Sequence, residues 1–246
     1  MIEGEEIITC IGGIRTFQLR SLAAVVSWLL LQAPPFWNGF PLHDTAGYLA
    51  RWYEGTLVPS RAVVYGLMLS AGAPAAFWPV VAIQAALTVW LIALTLRAHG
   101  FGGRPWLLLI VVAVLTVIST LPWLTSILLT DIFAGLGVLA LYLLLLRSSS
   151  LSSSERFALI ALIAVCAATH SATLAVLLAL ILAAVLVCLA KPSRIPPRCV
   201  ANGVLALTLG AMLVIATNFV VAKHLAWTPG GFALSFGRML QDGIAS

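Results

Sequence analysis

Residues 157–190 read FALIALIAVCAATHSATLAVLLALILAAVLVCLA, 34 residues without an Asp, Glu, Lys or Arg. About 20 apolar residues suffice to cross a bilayer, so this run is too long for one ordinary span. Thr169, His170 and Ser171 divide it into a shorter half, 157–169, and a fuller one, 171–190, which predicts a tight hairpin of two crossings. Outward from it, further apolar runs bounded by charge or by Pro/Gly clusters lie near 19–36, 75–96, 105–121, 126–146 and 199–222. The expected fold is an all-α polytopic membrane protein with about seven transmembrane helices. The run 61–72 is too short to cross and ends at Gly72-Ala73-Pro74, which predicts a short re-entrant or interfacial helix.

Composition agrees with this reading. The 246 residues are 62% hydrophobic and 9% charged, with a mean hydropathy of +1.10, whereas a soluble domain is roughly 25% charged. Such a chain cannot cover a water-facing surface, and seven spans leave no room for a separate soluble domain. Cys10, Cys166, Cys188 and Cys199 lack metal-ligand spacing, which argues against a zinc site or a disulfide framework. The opening MIEGEEIITCIGGIRTFQLR carries three glutamates ahead of its apolar run, unlike a cleaved signal, and residues 1–18 read as a cytoplasmic leader.

Lys and Arg set the orientation. Nine fall on one side of the alternating spans (Arg15, Arg20, Arg97, Arg104, Arg147, Arg156, Lys191, Arg194, Arg198) and four on the other (Arg51, Arg61, Lys223, Arg238). The positive-inside bias predicts a cytoplasmic N-terminus and places 223–246 at the outer face. The net charge of +5 thus reflects topology and gives no ground for a nucleic-acid partner. RSSSLSSSER, 147–156, reads as a flexible cytoplasmic connection and KPSRIPPR, 191–198, as a proline-stiffened one. Composition fits a bacterial inner membrane, whose outer face is periplasmic.

On this topology Asp44, Glu54, Asp131, Asp242, His43, His170 and His224 share the outer face, which is therefore the expected working face. In the outer loop 38–61, Asp44 can cap a juxtamembrane helix whose Tyr48, Leu49, Trp52 and Tyr53 fall at helical spacing. A plain N-cap with two interfacial aromatic anchors accounts for the same residues. Asp131 is expected about a turn and a half inside a span beginning near Ser126, where an ionisable residue is a functional-site hypothesis. The alternative is a carboxylate hydrogen-bonded to Thr130 or Thr125 near the interface. His170, at the tip of the hairpin, is more often a satisfied turn histidine than a ligand or base. Arg61 could hold a phosphate, as could Lys223, His224 and Arg238, with lipid phosphate the everyday partner for each. Phe36, Trp37, Trp52, Trp123 and Trp227 read as an aromatic belt, and Gly135 and Gly137 as close helix packing.

In order and spacing the chain resembles the GT-C superfamily of polytopic glycosyltransferases, which use dolichyl- or polyprenyl-phosphate sugars. HDTAGYLARWYEG (43–55) supplies a D-x-x-x-Y helix and PSRAVVYGLML (59–69) an R-x-x-x-Y segment; a span follows at 77–102. LPWLTSILLTDIFAGLGVLALYLLLLR (121–147) supplies a proline and then the Thr130-Asp131 pair entering a long span. The resemblance covers roughly residues 20–190. It implies that 19–222 is the family's seven-span conserved module, with 223–246 ending shortly after, as in a truncated member or a fragment.

The resemblance further implies transfer of a sugar from a polyprenyl-phosphate carrier to a glycan or lipid acceptor hydroxyl, with inversion and with Asp44 as general base. His43, Tyr48, Arg61, Tyr65, Asp131 and His170 would contact substrate, Arg61 meeting the leaving phosphate. Asp44 and Asp131 are the candidates for a shared divalent cation, for which hard oxygen ligands favour Mg or Mn. Two positions depart from the pattern: Thr45 follows Asp44 where the family often has Glu, and His170 stands where Arg is common. The competing expectations are a transporter or lipid-binding membrane module, and a non-catalytic fragment that needs a second module.

Overall fold

The computed structural model describes residues 22–29, 43–54, 61–223, 225, 227 and 231–243, and the side chains of these other than 43, 44, 51–54, 222 and 231–235. Helices follow the apolar runs and stop where proline, glycine or a polar cluster interrupts them. Residues 22–29 form α1; α2 spans His43–Glu54 and α3 Val63–Gly72. A 3-10 turn over Ala73–Ala75 leads into α4, Trp78–Leu96, which runs on through a π-turn at Arg97–Phe101. α5, Pro105–Ile118, opens on a proline, whose missing N–H is harmless at the first helical position. There follow α6 (Leu121–Ser126), α7 (Asp131–Leu146), α8 (Ser153–Thr169), α9 (Ser171–Ala190), α10 (Pro197–Ala222) and α11 (Gly231–Gln241). No β-strand occurs among the described residues.

Three helical stretches, Trp78–Phe101, Ser171–Ala190 and Pro197–Val221, are long and apolar enough to cross a membrane. α9 shows why their surface suits lipid. Thr173, Leu177, Ile181 and Ala184 form one buried stripe at helical spacing, while Leu178, Leu182, Leu186 and Leu189 are exposed, Leu189 by 75%. A helix that is apolar all round but packs along one stripe leaves hydrocarbon on its outer face. α5 behaves alike, burying Leu108 and Val112 and exposing Ile110, Val114 and Val117. The chain is a helical, membrane-associated protein.

α7, α8 and α10 form the centre, packed through small residues. A Cβ on Gly210 would lie 2.8 Å from the Ala164 carbonyl oxygen and 2.9 Å from Ala167 Cβ, so α8 and α10 meet almost backbone to backbone. Gly137 likewise sits against Cys166 and Leu177. Gly135, read from the sequence as a second packing glycine, has nothing within 4 Å of its Cβ position and opens onto a groove.

α3 is packed on several sides and leaves Leu67 and Ala71 exposed. It packs against α2, α4, α8 and α10 and buries Val63, Tyr65, Gly66, Leu69 and Gly72. The chain reverses after it through Ala76 (φ 51°) and Phe77 (φ 63°), successive left-handed residues that each cost an L-amino acid about 1–2 kcal/mol. Ala76 N–H donates to Ala73 O and Phe77 N–H to Gly72 O, which closes the turn.

Two expectations are corrected. The span expected from Ser126 is split: α6 ends at Ser126, Ile127 is extended, and α7 begins only at Asp131. Asp131 is therefore exposed at a helix N-terminus, where the helix dipole favours a carboxylate, and not a turn and a half inside a span. The Ser-rich connection 147–156 is folded and not an open tether. Ser148–Ser150 make a 3-10 turn, Leu151 is buried, and Ser152 and Glu155 form a capping box on α8, each bonding the other's backbone N–H.

Candidate functional site at the α7 N-terminus

The site is built where α2 crosses α3. A Cβ on Gly66 would sit 2.4 Å from the Tyr48 carbonyl oxygen, so only glycine lets the helices approach this closely. The crossing stacks aromatic rings. Tyr48 meets Tyr65 edge to face at 5.1 Å between centroids, and Tyr65 meets Phe133 of α7 at 5.8 Å. All three are buried. The Arg61 guanidinium lies 5.3 Å from the Tyr48 ring centroid, in cation–π range, and its Nε runs beside Gly47.

Two polar links tie α2 to the segment before Asp131. Thr45 Oγ1 donates to the Leu128 carbonyl at 3.0 Å, and the Tyr48 and Thr130 hydroxyls share a hydrogen bond at 3.3 Å. From α4, Gln84 Nε2 reaches the Tyr65 hydroxyl at 3.4 Å, while Gln84 Oε1 is buried without a protein partner.

Beside this cluster a groove of about 390 Å3 runs between α4, α5, α6 and α7. Asp131, Ser119, Thr120 and Thr88 supply its polar groups, and Ile92, Leu115, Leu136 and Leu139 its apolar wall. From Asp131 to Leu139 the helix rises about 12 Å, so Asp131 marks one end of a groove whose lining is almost wholly hydrocarbon.

Of the residues the sequence singled out, Tyr48, Arg61, Tyr65 and Asp131 come together. The side chains of His43, Asp44 and Glu54, and all of His224, lie outside the described residues; by backbone, Asp44 stands in the first turn of α2, not before it. Thr45, the next residue, is the one that anchors α2. His170 is the single extended residue between α8 and α9, and its Nδ1 is buried without a partner. It has no hydrogen bond to the cluster. Lys223 and Arg238 are exposed on the C-terminal part of the chain. Sequence reasoning missed Gln84 and Thr45. A lone amide in VVAIQAAL was a usable signal; Thr45 stood out only as a departure from the family pattern, not as an anchor for α2.

No group of three or more His, Cys, Asp or Glu that could hold a metal occurs among the described residues. Mg is commonly held by one or two carboxylates completed by substrate phosphate and water, and Asp131 is the carboxylate described at this site.

The opposite end of the bundle carries a separate polar set. Arg97 makes two parallel bonds to Glu155, Nη1 to Oε1 at 2.5 Å and Nη2 to Oε2 at 2.6 Å, and also reaches the Ser150 carbonyl. The Arg97 hydrogen bond, helped by Ser152, holds the Glu155 carboxyl down at about 2. Nearby the His99 and Tyr142 rings stack, with the Tyr142 hydroxyl 3.0 Å from Nε2 and the Thr95 carbonyl 2.8 Å from Nδ1. An imidazole donating from Nδ1 and accepting at Nε2 satisfies both contacts.

Comparison with protein-family models, curated proteins and solved structures finds no match to this chain.

Proposed function

We propose that the protein is a membrane glycosyltransferase of the GT-C type, moving a sugar from a polyprenyl-phosphate carrier to an acceptor hydroxyl. The observation that supports this most is convergence. The D-x-x-x-Y, R-x-x-x-Y and Thr-Asp segments are separated in sequence, yet Tyr48, Arg61, Tyr65 and Thr130-Asp131 meet at one end of the bundle. In this reading seven spans cross a bacterial inner membrane, the Arg97 end is cytoplasmic and the Asp131 end periplasmic. The segregation of the two polar sets at opposite ends of α7, about 24 Å apart for its 16 residues, suits that topology.

In the reaction the acceptor oxygen attacks the anomeric carbon from the face opposite the phosphate. The bond from that carbon to the phosphate oxygen breaks and the acceptor proton passes to Asp44. Arg61 is placed to offset the charge gained by the leaving polyprenyl phosphate, with its guanidinium held over Tyr48. Asp131, a carboxylate, repels that phosphate and suits the acceptor hydroxyl or a shared Mg or Mn ion. The groove beside it supplies a lane for hydrocarbon.

A transport pathway fits less well, because it needs polar groups through the bilayer depth. Along α4 the polar groups of the cluster end at Gln84 and Thr88, and Thr95, further along the same helix, bonds back to its own backbone. The test is photo-crosslinking of a labelled polyprenyl-phosphate sugar to the chain in nanodiscs, with transfer assayed in parallel. Saturable labelling near 44–65 that Arg61→Ala weakens, and transfer that Asp44→Asn abolishes without loss of insertion, are expected. Full activity of Asp44→Asn would remove the assigned base, and no saturable labelling of a folded sample would remove the donor site.

A further inference from the structure

The Arg97 end holds a second cavity, of about 260 Å3, between α1, α4 and α5. Its wall is apolar, with Ala24, Trp90, Leu94, Phe101 and Leu108 among the lining residues; Arg97, Arg104 and Glu155 supply the charge. The space exists because α4 does not end cleanly. It breaks at Gly100, whose φ of 88° is the left-handed conformation that commonly terminates a helix, and the turn carries Phe101 and Gly102 to the lining before α5 starts at Pro105.

The charges at the cavity are not equivalent. Both Glu155 oxygens are engaged by Arg97, and Oε2 also accepts from Ser152 N–H, so this carboxylate is spent. Arg104 is exposed, its guanidinium makes no hydrogen bond or ion pair among the described residues, and it lines the same cavity. Among the described residues, two arginines and one carboxylate leave a net charge of +1, carried by the Arg104 guanidinium. The volume would hold about eight or nine waters at roughly 30 Å3 each, but an ordered water needs two to four polar partners. The apolar wall does not offer them; a hydrocarbon segment fits instead. α5 closes one side with Pro105 and Leu108, and its other face exposes Trp106, Ile110 and Val114.

We propose that this cavity is a binding site for an anionic phospholipid of the leaflet surrounding the Arg97 end, with its phosphate on Arg104 and the start of an acyl chain against Trp90 and Leu94. The site is independent of the chemistry assigned to the Asp131 end. It requires neither a sugar donor nor Asp44, and a bound lipid here would brace α1 against α4 and α5.

Native mass spectrometry of the full chain from mixed micelles tests it, with dioleoyl phosphatidylglycerol and dioleoyl phosphatidylcholine in equal amount. One phosphatidylglycerol should be retained in preference by about fivefold, the factor expected of one cation at an anionic lipid surface. Arg104→Gln should bring the preference close to one, and Ala93→Leu, which adds bulk to the α4 wall, should reduce retention of both lipids. Arg194→Gln, which removes a cation that does not line the cavity, should change nothing. Equal retention of the two lipids by the wild type, or an undiminished preference in Arg104→Gln, would overturn the proposal. Displacement of the lipid by excess inorganic phosphate would overturn it in favour of a free-anion site. Arg104 is exposed, so loss of fold does not confuse the result; a monodisperse size-exclusion profile checks this.

Discussion

The Tyr48 hydroxyl lies 3.3 Å from that of Thr130, 82 residues further along the chain, and Thr130 is the neighbour of Asp131. This single bond couples the helix that carries Asp44 to the helix start that carries Asp131. Thr45, bonded to the Leu128 carbonyl, repeats the coupling one turn earlier on α2. The two carboxylates of the proposed site thus sit on segments tied together by the side chains of Thr45 and Tyr48.

Tyr48→Phe removes the bond and keeps the ring that packs on Tyr65 and under Arg61. The expected loss of stability is about 0.5–1.5 kcal/mol, the usual net worth of such a bond. Sugar transfer should fall severalfold without vanishing, because α2 stays docked through Thr45. Thermal unfolding in detergent and a transfer assay read the two effects; a variant equal to wild type in both would remove the coupling role.

Gly66→Ala asks more of the fold. The new methyl would sit 2.4 Å from the Tyr48 carbonyl oxygen, and backbone cannot swing aside as a side-chain end can. Overpacking of this sort costs about 1–3 kcal/mol. We expect a lowered melting temperature and faster hydrogen exchange across 43–54, since α2 is the element displaced. Gly135→Ala is the control: with nothing within 4 Å of its Cβ it should be neutral, or stabilising by up to about 1 kcal/mol through helix propensity. Similar losses at both glycines would mean that the α2–α3 crossing is looser than described.

The break in the apolar run 157–190 was legible and falls at His170, because three polar residues in a charge-free stretch have one economical place to go. α7 was less legible. Its residues are apolar from Ile127 through Leu129, so hydropathy alone ran the span back to Ser126. The extended Ile127, with Thr130 turned toward Tyr48, is a tertiary outcome that no local pattern records. The same holds for the site. Tyr48, Arg61, Tyr65 and Asp131 stood out by type and spacing, whereas Thr45 and Gln84 matter only through partners 83 and 19 residues away. The Ser-rich connection misled because serine composition suggests a tether, and a single Glu155 turns it into a cap and an anchor for Arg97.

That anchor carries a pH signature. The Glu155 carboxyl falls from 4.5 to about 2 on folding, so the unfolded chain takes up a proton first as the medium is acidified. Its contribution to stability is complete above about pH 4.5 and is lost as pH falls towards 2. The pair is partly exposed and correspondingly modest, and salt should weaken it further. Glu155→Gln keeps a capping-box side chain and drops only the charge facing Arg97. Melting temperature followed from pH 7 to pH 2 should decline less steeply below 4.5 in the variant than in wild type, and the two should run parallel above it. Parallel curves throughout would show that the Arg97–Glu155 contact adds nothing to stability in solution.

The groove beside Asp131 separates the binding of hydrocarbon from the chemistry at its polar end. Gly135 lines it with open space at the Cβ position, so Gly135→Leu places a side chain in the groove without meeting another helix at its base. Helix propensity favours the change, and the fold should hold. If a lipid substrate lies there, the leucine displaces a short stretch of its chain. Two methylenes at about 0.8 kcal/mol each correspond to a KM raised roughly tenfold, with kcat little altered because Asp44, Arg61 and Asp131 are untouched. Asp131→Asn should do the reverse, lowering kcat more than it raises KM, since it keeps the groove's shape and removes the charge at its polar end. The decisive comparison is between a full-length lipid substrate and a truncated one. Gly135→Leu should penalise the long chain and spare the short, because only the long chain reaches Leu139. An equal penalty on both would place the hydrocarbon elsewhere on the protein and leave the groove to the bulk bilayer.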